Sequence, residues 1–434
     1  GGVWPVFKVL VVPAHICRGF NLSGWVSIVS KSATRGVDML QFRRLTALVM
    51  FLGVVGQVDA NNWNTKEGEI KTWNGLIPER YSPNLETVRH HFLLYNSRRP
   101  VGQFDSIPSS DPRTLEFALR KEPYIDRQLK KTYLASYIMY EQGKVVIDEI
   151  SPDDRFGDFL NNQTLLYSMS LGKSLGSYLM AHAICKGHIE SIDHKLSDWP
   201  LVSDTLIASA SVRDVVNATM GHQGYMKNNE TFKASNFNVN NRSIRSIGSL
   251  DLAGSRPATK RYEYGQLPAN VALSYINFKT GNRFEEFMNE ILRDYVGLES
   301  RLRFASTRGS FNVEDGIIRA NFFATRYDTL RIGISILEDW NNDTCVGKYL
   351  KDIYRNRVSK GAKQQVGDGY SRSYGGFFHI DYPGVNDTVM GMDGYGGIAL
   401  LINFDDQRIV YAHAAHRNYN YKKIILDAVE DGEF

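Results

Sequence analysis

Cysteine is scarce in this chain of 434 residues, which contains only Cys17, Cys185 and Cys345. None of them forms a Cys-x-x-Cys pair or a cysteine and histidine cluster with the spacing of metal ligands. The sequence therefore predicts no metal site of this kind. We expect Cys185 and Cys345 to be buried free thiols.

A large excess of one charge is also missing. The chain has 51 Lys and Arg against 47 Asp and Glu, and residues 1–60 carry six of the positive and two of the negative side chains. The rest of the chain is therefore neutral, with 45 of each sign. Because nucleic-acid binding needs a basic surface, the composition gives no reason to expect a nucleic-acid partner.

The apolar run near the N-terminus is too short for a transmembrane helix, which needs about 20 residues. Residues 39–60, MLQFRRLTALVMFLGVVGQVDA, have two arginines before that run and small residues at Val58 and Ala60. This pattern is typical of a secretory signal peptide cleaved near Ala60. We expect export without a stable membrane anchor. No cysteine lies beside the cleavage site, so a lipid anchor is not indicated. Residues 1–38 are interpreted as upstream sequence.

Apolar side chains are abundant: 43% of the residues are hydrophobic and 12% are aromatic, enough for a large core. Residues 133–150 alternate apolar and polar side chains around Gln142-Gly143, which predicts a β-hairpin. Later strands are predicted for GGFFHI, GIALLINF and RIVYAHAA, and a closing helix for YKKIILDAVED. Between these segments, apolar residues three and four apart predict helices in SVRDVVNATM, PANVALSYINF, RFEEFMNEILRDYV and RYDTLRIGISILEDW.

Strands from both chain ends with helices between them indicate an α/β (α+β) fold. We expect an antiparallel sheet built from about residues 115–160 and 370–434, with flanking helices. An inserted, mainly helical subdomain is expected at about residues 161–369. Together these parts would form one unit within residues 61–434.

The segment SMSLGKSLGS, residues 168–177, fits three motifs. A phosphate-binding loop needs glycine where Tyr167 stands, so this interpretation is rejected. Gly-x-Ser-x-Gly would make Ser174 a nucleophile, but Ser174 falls one turn into the apolar helix predicted for residues 171–186, without the surrounding strand and helix alternation of such folds. The late histidines that could serve it are His379, His413 and His416.

The third motif is Ser-x-x-Lys, which places Ser170 at the start of this helix and Lys173 one turn later on the same face. The amine can then accept the proton of the hydroxyl. Amides at a helix N-terminus favour negative charge, which suits an oxyanion beside Ser170. No other Ser-x-x-Lys occurs in the chain. The alternative is an ordinary capping serine beside a solvated lysine.

Two later motifs follow in the order and spacing of a known group of enzymes. Tyr264-Gly265-Gln266 precedes a predicted helix, and GMDGYGGIALLINF puts a glycine-rich turn at the start of a late strand. Over about residues 115–430 the chain resembles the serine β-lactamase-like, penicillin-recognising hydrolases: class C β-lactamases, D-alanyl-D-alanine carboxypeptidases, family VIII carboxylesterases and 6-aminohexanoate-dimer hydrolases. The resemblance implies a single β-lactamase-like catalytic unit in residues 61–434.

The resemblance also implies roles for individual residues. Ser170 would be the acylating nucleophile, Lys173 its general base, and Tyr264 the second group that transfers protons. Gln266 stands where the family has asparagine. Its amide would hold a substrate carbonyl. The glutamine side chain is one methylene longer than that of asparagine.

The family has a third motif, Lys, His or Trp followed by x-Gly, and two segments compete for it. Lys279-Thr280-Gly281 fits by letter, but it lies between two predicted helices. Gly281 is therefore interpreted as a helix end.

Met392-Asp393-Gly394 opens a late strand at the position of the motif. The resemblance implies that these three residues border the substrate, and that the N–H groups of Tyr395 and Ser170 form the oxyanion hole. Met392 cannot bind a carboxylate, and Asp393 would repel one if it faced the cleft. Acidic substrates are therefore disfavoured.

These features predict a periplasmic or secreted serine hydrolase that cleaves a small-molecule ester or amide through an acyl-enzyme on Ser170. The alternatives are a β-lactamase or D-alanyl-D-alanine carboxypeptidase, and a non-catalytic binding protein that has kept the fold. No metal or cofactor is implied, and the oligomeric state is left open.

Overall fold

The computed structural model describes residues 62–65, 68–71, 101–156, 160–203, 206–220, 261–306, 318–361, 371–415 and 419–434. The expected signal peptide at 39–60, the upstream segment 1–38 and His416 lie outside these residues. A compact unit spans Ile70–Phe434. It contains the two larger sheets and every residue predicted for the site.

The predicted helices are present among the described residues. The α-helices there are Pro123–Lys131 (α1), Asp153–Phe156 (α2), Leu171–Cys185 (α3), Val212–Val216 (α4), Leu267–Lys279 (α5), Phe284–Asn289 (α6), Arg326–Asn341 (α7), Cys345–Arg355 (α8) and Ala428–Asp431 (α9). Shorter 3-10 turns cover Leu196–Asp198 and Leu206–Ser209, and π-helical turns cover Glu290–Tyr295 and Lys422–Asp427. No helix in these parts of the chain is long and apolar enough to cross a membrane.

The strands fall into three sheets. They are Asn62–Thr65 (β1), Gly68–Lys71 (β2), Val101–Asp105 (β3), Glu116–Phe117 (β4), Leu134–Glu141 (β5), Lys144–Ile150 (β6), Leu166–Tyr167 (β7), Arg303–Ser306 (β8), Phe322–Ala324 (β9), Val358–Ser359 (β10), Ser373–Gly375 (β11), Phe378–Ile380 (β12), Val389–Gly394 (β13), Ile398–Asn403 (β14) and Arg408–Ala414 (β15). In the described ranges, strands β1 and β2 form a two-stranded sheet.

The main sheet joins strands from early and late parts of the chain, as predicted. Its order is β10-β11-β12-β13-β14-β15-β5-β6-β4. Neighbouring strands are antiparallel, except that the edge strand β4 runs parallel to β6. The predicted hairpin is β5 and β6, and its turn places Gly143 at a φ of +94°, a left-handed conformation that glycine adopts without steric cost.

A second, four-stranded sheet was not predicted from the sequence. Its order is β3-β8-β9-β7, and its pairs are antiparallel. Strand β7 ends three residues before Ser170, and Ser168 ties this point to β9. The Ser168 N–H donates to Phe322 O at 2.8 Å, and the Phe322 N–H donates to Ser168 Oγ at 2.9 Å. These bonds fix where α3 begins.

Helix α3 runs through the main core, as its apolar composition predicts. Every residue from Leu171 to Ala183 is buried, and the helix packs against α5, α8 and β13. It ends at the predicted stop, where Gly187 has a φ of +77°. A second core lies on the other side of the main sheet and includes residues of α1 and α9.

The prediction of two free thiols is wrong. Cys185, the last residue of α3, forms a disulfide with Cys345, the first residue of α8. Their Cα atoms lie 5.8 Å apart, although 160 residues separate them in the sequence. The bond depends on the packing of α3 against α8, which no local pattern around either cysteine encodes.

Candidate active site

The first turn of α3 brings together the serine and lysine predicted for catalysis. Ser170 directly precedes the helix and is half-buried, and Lys173 is only 1% exposed. A hydrogen bond of 2.8 Å joins Lys173 Nζ to Ser170 Oγ. The alternative of a solvated lysine beside a capping serine therefore fails. The Ser170 side chain also makes no capping bond to the helix.

Tyr264 reaches the same lysine from a distant part of the chain. It lies in the irregular segment just before α5, and its hydroxyl is 3.2 Å from Lys173 Nζ. The amine also sits 4.8 Å from the centre of the Tyr264 ring. The three predicted catalytic side chains therefore form one cluster with Lys173 between the two hydroxyls.

The residue before the serine has a strained backbone. Met169 has a φ of +49°, a left-handed conformation that is costly for a residue with a side chain. Its carbonyl accepts hydrogen bonds from Asn321 Nδ2 at 2.7 Å and from Ser168 Oγ at 3.1 Å. Strain of this kind clusters at active sites. Neither the strain at Met169 nor the hydrogen bond from Asn321 to its carbonyl could be predicted from the sequence, because no motif marks either feature.

Two glycines allow the backbone to close around this turn. A Cβ on Gly172 would lie 1.9 Å from Ala320 O, and a Cβ on Gly394 would lie 2.7 Å from Ser168 O. Side chains at either position would push these segments apart. Strand β13 therefore ends directly beside the segment that leads into Ser170.

The two backbone groups expected in the oxyanion hole are available. Within the part of the chain that the structure describes, the N–H groups of Ser170 and Tyr395 donate no hydrogen bond. Tyr395 follows the end of β13 and is 45% exposed. Unpaired donors at this position can stabilise negative charge on a substrate oxygen.

Gln266 lies at the N-cap of α5 and is half-buried. Its Oε1 atom is buried and has no hydrogen-bond partner among the described residues. A buried acceptor without a partner is unfavourable. Gln266 lies two residues after Tyr264 in the sequence, and its contact with a substrate carbonyl stays a prediction.

Met392 and Asp393, which are expected to border the substrate, are both buried. Met392 is fully buried and belongs to the main core. Asp393 points to the opposite side of the sheet, where its carboxylate accepts hydrogen bonds from Tyr382 and Tyr421 at 3.2 Å each. Alternation along β13 separates the two side chains. The Asp393 carboxylate also lies 3.9 Å from His379 Nδ1.

A buried polar network behind Tyr264 was not predicted. The His379 ring lies 6.3 Å from the Tyr264 ring. Lys360 Nζ and Ser371 Oγ both approach His379 Nδ1, at 2.8 Å and 3.1 Å. Because Ser371 is fully buried and shares one nitrogen with the lysine, the network does not have the geometry of a second nucleophile. Among the described residues, no group of three or more His, Cys, Asp or Glu side chains could hold a metal ion.

The competing motifs are structural. Ser174 is 1% exposed, and its hydroxyl donates to Phe377 O at 2.7 Å. His413 is enclosed in β15, and burial lowers its pKa to about 3. Lys279 ends α5 and donates to Asp198 Oδ2 at 2.7 Å, and Gly281 follows with a φ of +67°. The interpretation of this segment as a helix end is confirmed.

Comparison with known proteins agrees with this architecture. No family model and no curated protein matches the sequence. Among solved structures, the "Putative 6-aminohexanoate-dimer hydrolase from Bacillus anthracis" is 13% identical, with a TM-score of 0.55 over 75% of this chain and 89% of the other. "EstCE1, a hydrolase with promiscuous acyltransferase activity" is 12% identical, with a TM-score of 0.51 over 69% and 93%. The chain has the fold of the serine β-lactamase-like hydrolases, as its sequence motifs predicted.

Proposed function

We propose that this protein is a serine hydrolase that cleaves neutral esters or small amides through an acyl-enzyme on Ser170. The observation that carries the proposal is the buried amine of Lys173, which lies 2.8 Å from Ser170 Oγ and 3.2 Å from the Tyr264 hydroxyl. A nucleophile within hydrogen-bond reach of a base, with a third group orienting that base, is the arrangement of covalent catalysis.

In the proposed reaction, neutral Lys173 takes the proton of the Ser170 hydroxyl as the oxygen attacks the substrate carbonyl. The N–H groups of Ser170 and Tyr395 receive the oxyanion, and this role is supported because neither has an acceptor in the part of the chain that the structure describes. Tyr264, hydrogen-bonded to Lys173, passes a proton to the leaving alcohol or amine. The alcohol or amine departs, and the acyl group stays on Ser170 Oγ.

Deacylation reverses these roles. A water molecule attacks the acyl carbonyl while the cluster of Lys173 and Tyr264 accepts its proton. The bond to Ser170 Oγ breaks, the serine regains a proton, and the free acid leaves. The Gln266 side chain would orient the substrate by donating from its amide Nε2 to a substrate carbonyl, as the resemblance implies.

The preference for neutral substrates follows from position 392. An apolar, fully buried methionine offers no cation to a substrate carboxylate. A charge-assisted hydrogen bond contributes about 1.5 to 3 kcal/mol, so its absence should lower kcat/KM for acidic substrates by about 10- to 100-fold. The Asp393 carboxylate accepts hydrogen bonds from Tyr382 and Tyr421, and the preference rests on the missing attraction at position 392.

We further propose that the protein acts outside the cytoplasm. The signal-like residues 39–60 motivate this part of the proposal. The disulfide between Cys185 and Cys345 supports it, since disulfides persist mainly in oxidising compartments.

The test compares kcat/KM for p-nitrophenyl butyrate and for a chromogenic cephalosporin, together with labelling by a fluorophosphonate probe. We expect labelling and a clear preference for the ester. A preference for the cephalosporin would replace the proposal with a β-lactamase function. A folded protein that is neither labelled nor active on either substrate would indicate a binding protein that has kept the fold.

A further inference from the structure

The N–H group of Ser170 belongs to the peptide that joins this serine to Met169. The peptide is planar and trans, so the Met169 C=O and the Ser170 N–H point in opposite directions within one rigid group. A hydrogen bond that fixes the oxygen therefore also fixes the direction of the N–H. The contacts of Met169 O thus determine where the Ser170 N–H points.

The shortest of these contacts comes from Asn321. Among the described residues, Met169 O accepts from Asn321 Nδ2 at 2.7 Å, from Ser168 Oγ at 3.1 Å and from the Gly172 N–H at 3.4 Å. Ser168 and Gly172 belong to the same turn as Met169, whereas Asn321 is 152 residues away. Because a carbonyl oxygen can only accept, the Asn321 atom in contact with it is the amide nitrogen. The bond therefore ties the turn to another part of the chain.

The backbone on both sides of Asn321 is held against this turn. Phe322 exchanges two hydrogen bonds with Ser168, at 2.8 Å and 2.9 Å. Ala320 O lies so close to Gly172 that a Cβ on the glycine would be 1.9 Å from it. The Asn321 side chain therefore extends from a fixed backbone, as a group that holds another group in place requires.

Met169 needs such a restraint because its backbone is strained. Its φ of +49° is costly for a residue with a side chain. A strained residue keeps its conformation only where the surrounding structure holds it. Without the bond from Asn321, the peptide could relax by rotating, and the Ser170 N–H would turn with it.

We propose that Asn321 is a positioning residue for the oxyanion hole. By donating to Met169 O, it holds the strained peptide and keeps the Ser170 N–H in the direction that a substrate oxygen requires. Asn321 acts through the peptide and not on the substrate. This inference rests on the proposed hydrolysis at Ser170, and it assigns a role to a residue outside the three sequence motifs.

Steady-state kinetics of the full chain with p-nitrophenyl butyrate test this role. Asn321→Ala should lower kcat about tenfold and leave KM within about twofold, because the oxyanion hole stabilises the transition state more than the bound ester. Loss of a whole oxyanion donor costs about 10²- to 10³-fold in kcat, whereas here the N–H remains and only its direction changes. Asn321→Leu has a similar volume and no donor, so it should behave alike and keeps the test valid if Asn321→Ala does not fold.

A spectroscopic measurement separates positioning from a general loss of structure. With p-nitrophenyl cinnamate that carries ¹³C at the carbonyl, isotope-edited infrared spectroscopy after rapid mixing reports the acyl carbonyl on Ser170. Hydrogen bonds from the oxyanion hole lower its stretching frequency, so both Asn321 variants should raise it. The control is Asn356→Ala, which also removes an asparagine that donates to a backbone carbonyl, Asp352 O at 3.1 Å. Its kinetics and carbonyl frequency should match the wild type.

Circular dichroism melts establish which Asn321 variants fold. A folded variant with the kcat and the carbonyl frequency of the wild type would overturn the inference, and so would a fall in kcat without a change in frequency. A wild type that is neither acylated by the cinnamate ester nor labelled by a fluorophosphonate would instead remove the proposed hydrolase function, and the inference with it.

Discussion

The two ends of α3 differ in the kind of contact that each one makes. At the start, the N–H groups of Ser170 and Tyr395 have no acceptor among the described residues, Met169 is strained, and a buried lysine bridges two hydroxyls. At the other end, a disulfide ties the helix to α8. There, Tyr178 donates to Asp339 Oδ2 at 2.6 Å.

The difference shows how one helix can serve two purposes. The far end holds the helix in place through the disulfide to α8. The near end can then keep donors and a base in positions that are unfavourable without a substrate. If this view is right, changes at the start of α3 should remove activity with little loss of stability, and changes at its far end should do the reverse.

The largest expected effect is on Lys173. Lys173→Arg should lower kcat/KM for p-nitrophenyl butyrate by about 10²- to 10⁴-fold, since arginine stays protonated and cannot accept the serine proton. Steady-state kinetics measure the effect. Lys173→Met, which removes the base without adding bulk, should be equally inactive and should melt as one folded species by circular dichroism.

The matched control is Lys279→Arg, which changes the lysine of the competing Lys-Thr-Gly segment while keeping its ion pair with Asp198. It should retain near wild-type activity. Near-normal turnover by Lys173→Arg would remove Lys173 from the mechanism.

At the other end of α3, loss of the disulfide should affect stability rather than chemistry. The double variant Cys185→Ala and Cys345→Ala should lower the free energy of unfolding by about 2 to 5 kcal/mol, because the bond closes a long loop in the unfolded chain. Denaturant unfolding measures this loss. At temperatures where the variant is folded, kcat should stay near the wild-type value. A large fall in kcat with unchanged stability would show that the two ends are not separable.

The smallest effect concerns the pH dependence of stability near the far end. Burial lowers the pKa of His182 to about 4. The unfolded chain therefore takes up a proton below about pH 6.5 that the folded chain refuses until about pH 4. The free energy of unfolding should fall with decreasing pH in this window, by up to about 1.4 kcal/mol per pH unit from this residue.

His182→Phe should make that fall less steep between about pH 6.5 and pH 4, because its unfolded state has no such proton to bind. Urea unfolding at a series of pH values gives the two slopes. Identical slopes in the wild type and the variant would show that His182 does not contribute.

Local sequence patterns predicted many of the helices and strands. The apolar run from Leu171 and the stop at Gly187 defined α3, and the spacing of Ser170 and Lys173 placed both on its first turn. These features depend on neighbours three or four residues away, which periodicity reports. The approach of Tyr264 to Lys173 spans 91 residues, so only the resemblance to a known family could suggest it.

Long-range packing explains what the sequence did not reveal. The disulfide joins residues 160 positions apart, and the short strands of the second sheet carry little periodic signal. Strand alternation placed Met392 and Asp393 on opposite faces, but the sequence did not show which face meets the cleft. The strain at Met169 arises from the turn between β7 and α3, a tertiary constraint on a residue that usually avoids it.

The most direct test of the catalytic assignment is the site of covalent labelling. The protein is treated with a fluorophosphonate probe, digested and analysed by mass spectrometry, for the wild type, Ser170→Ala and Ser174→Ala. We expect a label on Ser170, no label in Ser170→Ala and normal labelling in Ser174→Ala, because the Ser174 hydroxyl donates to Phe377 O. A label on Ser174, or a folded Ser170→Ala that is still labelled, would contradict the assignment of Ser170 as the nucleophile.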